Sequence, residues 1–161
     1  MLSKIFKGTM LAAALVLATS AVAKDKIRVG ISPEAYPPFT SFNAKNEWEG
    51  FEIDLLAALC KQMDADCPIV SIAWDGLIPA LTGKKIDIIF NSMSITEERM
   101  KVIDFSDKYY NSPAELIGGK DAPKVTTIAN PDGKGGMIAN PADLKGKTIG
   151  VQTATIHAEY A

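Results

Sequence analysis

One histidine and two cysteines in 161 residues leave little material for metal chemistry. A structural zinc site gathers about four such ligands, and His157 lies far along the chain from Cys60 and Cys67. No metal and no other cofactor is therefore expected. The sequence also lacks a GxSxG elbow, a phosphate-cradling glycine loop and an HExxH pair, so enzyme chemistry has little positive support. No apolar run reaches the roughly 20 residues that span a bilayer. Nor is there a basic excess: 17 Lys and Arg stand against 19 Asp and Glu, a net charge of -2. That sets nucleic-acid binding aside.

What is present begins with "MLSKIFKGTMLAAALVLATSAVAKDK". A basic start at Lys4 and Lys7, an apolar middle from Met10 to Leu17 and a small-residue end, Ala21-Val22-Ala23, make a secretory signal peptide over residues 1–23, cleaved after Ala23. Its removal takes away two lysines and no acid, so the charge of the exported chain moves from -2 to -4. The expected destination is a bacterial periplasm. Residues 24–161 are about one domain in length. In an oxidising compartment Cys60 and Cys67 read first as a disulfide, with two free thiols as the alternative.

Along the chain, "KIRVGIS" (26–32) alternates like a strand, and the prolines of "AYPPFTSFN" end it. A turn is expected at "AKNEWEG". "FEIDLLAALCKQM" then predicts an amphipathic helix over 51–63, with Phe51, Leu55, Leu59 and Met63 on its apolar face and Leu56 alongside. "CPIVSIA" reads as a strand, "DGLIPALTGKK" as a short helix interrupted by Pro79 and stopped near Gly83, and "IDIIFNSM" as a strand apolar on both faces. Strands alternating with helices predict the α/β class with a parallel sheet. A second amphipathic piece, "TEERMKVI", leads into an extended stretch, and 121–147 reads as a linker rich in Gly, Pro, Asn and Lys. "KTIGVQTATIHAEYA" predicts one more strand turning into a helix.

In open α/β sheets, ligands sit beyond the carboxyl ends of the strands. Glu34, Tyr36 and Phe39 follow the first strand, Trp74 the second, and Asn91, Ser92, Ser94, Thr96 and Arg99 the third. A guanidinium can grip a carboxylate with two parallel hydrogen bonds. Serines can donate to the same oxygens or accept from an ammonium group, and Tyr36 and Trp74 offer flat faces to an apolar or cationic side chain. On spacing alone, Arg99 in "TEERMK" also reads as a solvated helix residue beside Glu97 or Glu98. Tyr36 and Trp74 equally read as core or rim aromatics, and His157 as a surface residue of a terminal helix.

Taken together, "RVGISPEAYPPFT", "GFEIDLLAALCKQM", "WDGLIPALTGKKIDIIFNSMSITEERMKVIDFSDKYY" and "LKGKTIGVQTAT" closely resemble the periplasmic amino-acid-binding proteins of ABC importers, family 3 of the solute-binding proteins. The resemblance implies a periplasmic-binding-protein-like fold of two α/β lobes that close on a ligand. It implies a first lobe over 24–112, a hinge strand and linker over 113–147, and the start of a second lobe over 148–161. Arg99 would clamp the ligand's α-carboxylate, with Asn91, Ser92 and Ser94 in the polar loop before it. Tyr36 and Trp74 would wall the ligand side chain, and Thr155 would meet the carboxylate from the second lobe. The spacing of Cys60 and Cys67 resembles the disulfide of the lysine/arginine/ornithine and histidine binders.

The resemblance has departures. Ala154 stands where the family has glycine, and Ile156 where it has a second threonine. Cationic-ligand binders carry an acid where this chain has Pro33, with Glu34 one place later as a candidate contact for a cationic ligand side chain. Family members also run on through the rest of the second lobe, so the sequence resembles a truncated form. The expected function is capture of a polar or cationic amino acid or a derivative by a monomer, and its delivery to an inner-membrane ABC permease. The alternatives are a cyclohexadienyl dehydratase-like enzyme using Glu34, a sensor module, or a fragment without function.

Overall fold

A computed structural model describes residues 24–131, 133 and 136–160. The signal peptide expected over 1–23 lies outside the described residues. At the centre is a parallel sheet of β1 (Val29–Ile31), β4 (Ile69–Ser71) and β5 (Ile88–Ile89), in the order β4-β1-β5. Val29 pairs with both Ile69 and Ile88, and Gly30 with both Val70 and Ile89, so β1 is the middle strand. The α/β class expected from the sequence is thus present. Between β1 and β4 the chain forms a hairpin, β2 (Ser41–Phe42) with β3 (Trp48–Glu49), where the sequence suggested only a turn. The helix α1 (Phe51–Gln62) follows.

Alternation along β1 decides which helix covers which face. Val29 and Ile31, both fully buried, join Leu56 and Cys60 of α1 in the core. Gly30 faces the other way, toward α2 (Leu77–Thr82): a Cβ there would lie 2.4 Å from Ile86 Cδ1 and 3.2 Å from Leu77 Cδ2. The absence of a side chain at Gly30 therefore lets α2 and its following loop approach the sheet. A short 3-10 turn, Trp74–Gly76, precedes α2 and puts Trp74 just past the end of β4.

Four local readings need correction. The buried stripe of α1 is Glu52, Leu56 and Cys60, whereas Phe51, Leu59 and Met63 are 41%, 41% and 52% exposed. The stripe one position later contains an acid, so an apolar-spacing rule passes over it. Pro79 does not interrupt α2, because it falls in the first turn, where its missing N–H has no intrahelical partner to lose. The segment read as a linker contains an antiparallel hairpin, β6 (Thr127–Ala129) with β7 (Met137–Ala139), and the short helix α4 (Pro141–Leu144). Finally, no strand forms over 148–152, which pairs with no neighbour among the described residues; the chain proceeds to the helix α5 (Ile156–Tyr160).

Two cross-links fix the ends of the sheet. Cys60 and Cys67 form a disulfide with a Cα–Cα distance of 6.2 Å, joining the end of α1 to the start of β4. Arg28, just before β1, grips Asp87, just before β5, with a side-chain fork at 2.9 and 2.7 Å and a backbone bond at 2.7 Å. These bonds set the register of the two strands. No helix among the described residues is long and apolar enough to cross a membrane.

Alanine at both Cys60 and Cys67 is expected to lower unfolding stability by about 2–3 kcal/mol in a urea titration, the loop-closure contribution of a short ring; an unchanged midpoint would contradict it. The Arg28 hydrogen bonds hold the Asp87 carboxyl down at about 2. Because the folded value is depressed, its stabilisation is present above the unfolded carboxylate range, about pH 4, and is lost as pH falls through the folded value. Asp87→Asn should therefore flatten the acid limb of the stability profile, and an unaltered limb would count against this.

Candidate ligand-binding cleft

Beyond the carboxyl edge of the sheet, the loops after β1 and β5 part around a cleft of about 170 Å³. This is where the strand order turns back on itself, so the two loops leave in different directions. Their roots stay joined by a buried bond: the Ser32 backbone N–H donates to Asn91 Oδ1 at 2.7 Å. Glu34, Tyr36, Trp74, Asn91, Ser92, Ser94, Arg99 and Thr155 all line this one cleft. The sequence named each of them, and the structure brings them together. A larger cavity, about 470 Å³, lies behind the loop among Met93, Ile95, Phe105 and the segment after it, but it does not include Arg99 or Trp74.

Arg99 is placed by helix capping. Thr96 is extended, begins the four-residue helix α3 (Glu97–Met100), and its hydroxyl accepts the Arg99 N–H at 3.2 Å. The side chain then turns back into the cleft, and the residue is only 8% exposed. Nη1 donates to the Ser94 carbonyl at 2.8 Å and Nη2 to the Ala154 carbonyl at 3.0 Å. Its Cζ lies 5.7 Å from the centroid of the Trp74 ring. The reading of Arg99 as a solvated partner of Glu97 or Glu98 therefore fails, and Glu98 pairs with Lys101 instead. Burial pulls the Arg99 pKa below its ordinary value, and the charge of Glu159 acts in the opposite direction. Carbonyls take two of its donors, and the others remain able to meet a carboxylate.

The Ala154 carbonyl is a meeting point that the sequence did not reveal, because a backbone oxygen has no residue-type signature. Trp74 Nε1 donates to it at 2.9 Å in addition to Arg99. Ala154 reaches this position with φ of 58°, a left-handed conformation that glycine adopts more readily. The departure from the family's glycine thus leaves the turn intact. Thr155 beside it is buried, and its hydroxyl donates to the Gln152 carbonyl at 2.7 Å. Gln152, Ile156 and His157 complete this wall, so His157, read as a surface residue, faces the cleft rim while remaining exposed.

On the opposite wall, Tyr36 stacks on Phe39, ring centroids 5.2 Å apart, and is 45% exposed. The carbonyls of Pro38 and Phe39 cap the first N–H groups of α1, at Phe51 (2.9 Å) and Glu52 (3.0 Å), which fixes that loop. Glu34 is exposed at the mouth. Ser92 has φ of 45°, and both its N–H and its hydroxyl donate to Glu52 Oε1, at 2.5 and 2.7 Å. Glu52 and its second partner, Tyr109, are the functional candidates that sequence reasoning missed. Among the described residues no group of three or more His, Cys, Asp or Glu could hold a metal ion.

The cleft thus sets a buried guanidinium over an indole at the edge of a parallel sheet, with an acid and a second ring at its mouth. The chain belongs to the bacterial extracellular solute-binding proteins, family 3, which it matches over residues 27–154. It is 43% identical over 155 residues to the ABC transporter arginine-binding protein 1 of Escherichia coli (strain K12), covering 96% of this chain and 57% of that protein. It is 39% identical over 160 residues to the histidine-binding periplasmic protein of Salmonella typhimurium, covering 96% and 56%. The chain thus spans little more than half the length of these relatives. Among solved structures, an ancestral arginine-binding protein bound to arginine superposes with a TM-score of 0.64 at 32% identity, over 85% of this chain and 54% of that one. The arginine-bound form of domain 1 from TmArgBP gives 0.50 at 41% identity, over 53% and 67%.

Glycine at position 154 should relieve the left-handed strain at the Ala154 turn. Ala154→Gly is expected to raise stability by up to about 1 kcal/mol in thermal melts. A lower midpoint would contradict the assigned backbone conformation.

Proposed function

We propose that the chain captures a cationic amino acid, with L-arginine as first candidate, in the cleft between the β1 and β5 loops, as the periplasmic receptor of an ABC importer. The observation that carries this is Arg99: buried, placed by its cap, and set against Trp74 with donors left for a carboxylate. In this reading Arg99 receives the ligand's α-carboxylate with help from Ser94 and from the backbone N–H of Thr155, whose hydroxyl proton is given to Gln152. Asn91 and Ser92 hold the loop. Tyr36 and Trp74 flank the side chain, and Glu34 meets its cationic end.

The named relatives support a cationic ligand, since they are called arginine-, histidine- and lysine/arginine/ornithine-binding. Domain 1 of TmArgBP is arginine-bound as a separate domain, which supports assigning most of the binding contacts to the loops of one lobe. We assign residues 24–112 to that lobe, 113–147 to the hinge strand and linker, and 148–161 to the start of the second lobe. Closure is a hinge motion, and ligand favours it only to the extent that it touches both sides. The Ala154 carbonyl, which accepts from Trp74 and Arg99, supports taking Ala154 and Thr155 as the second-lobe contacts. Release to an inner-membrane permease by a monomer completes the cycle.

A second reading rests on the likeness to an ancestral cyclohexadienyl dehydratase, with a TM-score of 0.50 at 33% identity. In it Glu34, the exposed acid on the cleft, would assist loss of water. Turnover of prephenate or arogenate by the purified chain favours this reading, and stoichiometric binding of amino acids without turnover favours the receptor.

Arg99→Lys keeps the charge and loses the fork. Calorimetry should show L-arginine affinity falling by about 1.5–3 kcal/mol, the scale of one charge-assisted hydrogen bond. Unchanged affinity would contradict the assignment.

A further inference from the structure

Glu52 is fully buried, at the start of α1, and its Oε1 accepts three donors: Ser92 N–H, Ser92 Oγ and the Tyr109 phenol. Oε2 is buried and has no hydrogen-bond partner among the described residues. A buried carboxylate is costly unless donors surround it, so a helix that needs only an apolar stripe would not place one here. The arrangement therefore asks for a role.

We propose that Glu52 is a positioning residue for the ligand's α-ammonium group, acting through Ser92. The proposal rests on the amino-acid-binding reading and adds the second half of the zwitterion to it. A hydroxyl has a single proton. In Ser92, a residue of the cleft lining, that proton is given to Glu52, so the oxygen has only lone pairs left to offer. The Ser92 N–H is likewise turned to Glu52 and does not face a ligand carboxylate. An ammonium group donates to such an oxygen, whereas a carboxylate needs donors and is repelled. Arg99 and Ser92 thus fix opposite ends of the ligand backbone, and the ligand enters in one orientation.

Tyr109 extends the device to the segment by which the chain leaves the sheet. Its ring stacks on Phe90 with centroids 5.7 Å apart, and the Ser92 N–H also reaches its oxygen at 3.1 Å. Burial first, then the Glu52 hydrogen bond, pushes the Tyr109 phenol well above the ordinary tyrosine range, so it remains a donor at any working pH. Next to it, Tyr110 packs edge-on against Phe39 at 4.8 Å. Tyr109 and Tyr110 thus anchor this segment through different partners, Phe90 and Phe39.

The test compares L-arginine with des-amino-arginine, the same molecule with hydrogen in place of the ammonium group, by calorimetry. Glu52→Met should weaken L-arginine binding about tenfold, the scale of one charge-assisted hydrogen bond. The des-amino compound should change less than about twofold. Glu52→Gln, whose amide oxygen can accept the same bonds, should restore most of the difference. If Glu52→Met does not fold, Ser92→Ala must show the same selective loss. Equal losses for both compounds in the variants, or no loss for either, overturn the proposal alone. Failure of the parent chain to bind either compound overturns the amino-acid reading and the proposal with it.

Discussion

A guanidinium held out of water at the carboxyl edge of a parallel sheet is the constraint around which this structure is arranged. Arg99 is buried against an indole and, among the described residues, has no carboxylate in hydrogen-bond contact; backbone carbonyls from Ser94 and Ala154 occupy two of its donors. A buried charge satisfied only by neutral carbonyls keeps a demand for an anion. The rest of the fold supplies the means of keeping it there: Thr96 caps its helix, the Ser32–Asn91 bond joins the loop roots, and Arg28 and Asp87 fix the register below.

Polar loops on both sides of the cleft use the same device, a non-glycine residue in the left-handed conformation. Ser92 and Ala154 both adopt it, with φ of 45° and 58°. Each is compensated by hydrogen bonds, Ser92 by Glu52 and Ala154 by Arg99 and Trp74. Strain of about 1–2 kcal/mol per residue is thereby stored along the cleft, where the proposed ligand contacts lie. The cleft is pre-shaped as a result, and less ordering is left for the ligand to impose.

Much of this was legible in the sequence. Parallel topology followed from alternating elements with apolar strands, and the strand-end rule placed Glu34, Tyr36, Trp74, Asn91, Ser92, Ser94 and Arg99 at one edge. Resemblance to the family added Thr155, which the cleft also includes. What escaped had physical reasons. Glu52 was hidden because its stripe on α1 mixes an acid with Leu56 and Cys60, while the more apolar stripe through Phe51 and Leu59 faces outward. The hairpin of β6 and β7 has strands of three residues, too short for a period to show. The 148–152 segment has strand-like residues but no neighbour to pair with among the described residues, and pairing decides a strand. Ala154 contributes a carbonyl, which every residue type possesses.

The central claim is that Arg99 grips the acid end of an amino acid inside this cleft. A crystal structure of the chain grown with L-arginine tests it directly. The account predicts both carboxylate oxygens within hydrogen-bond distance of the Arg99 guanidinium and the ligand side chain between Tyr36 and Trp74. Arginine bound elsewhere, or bound here with its carboxylate turned away from Arg99, would contradict it.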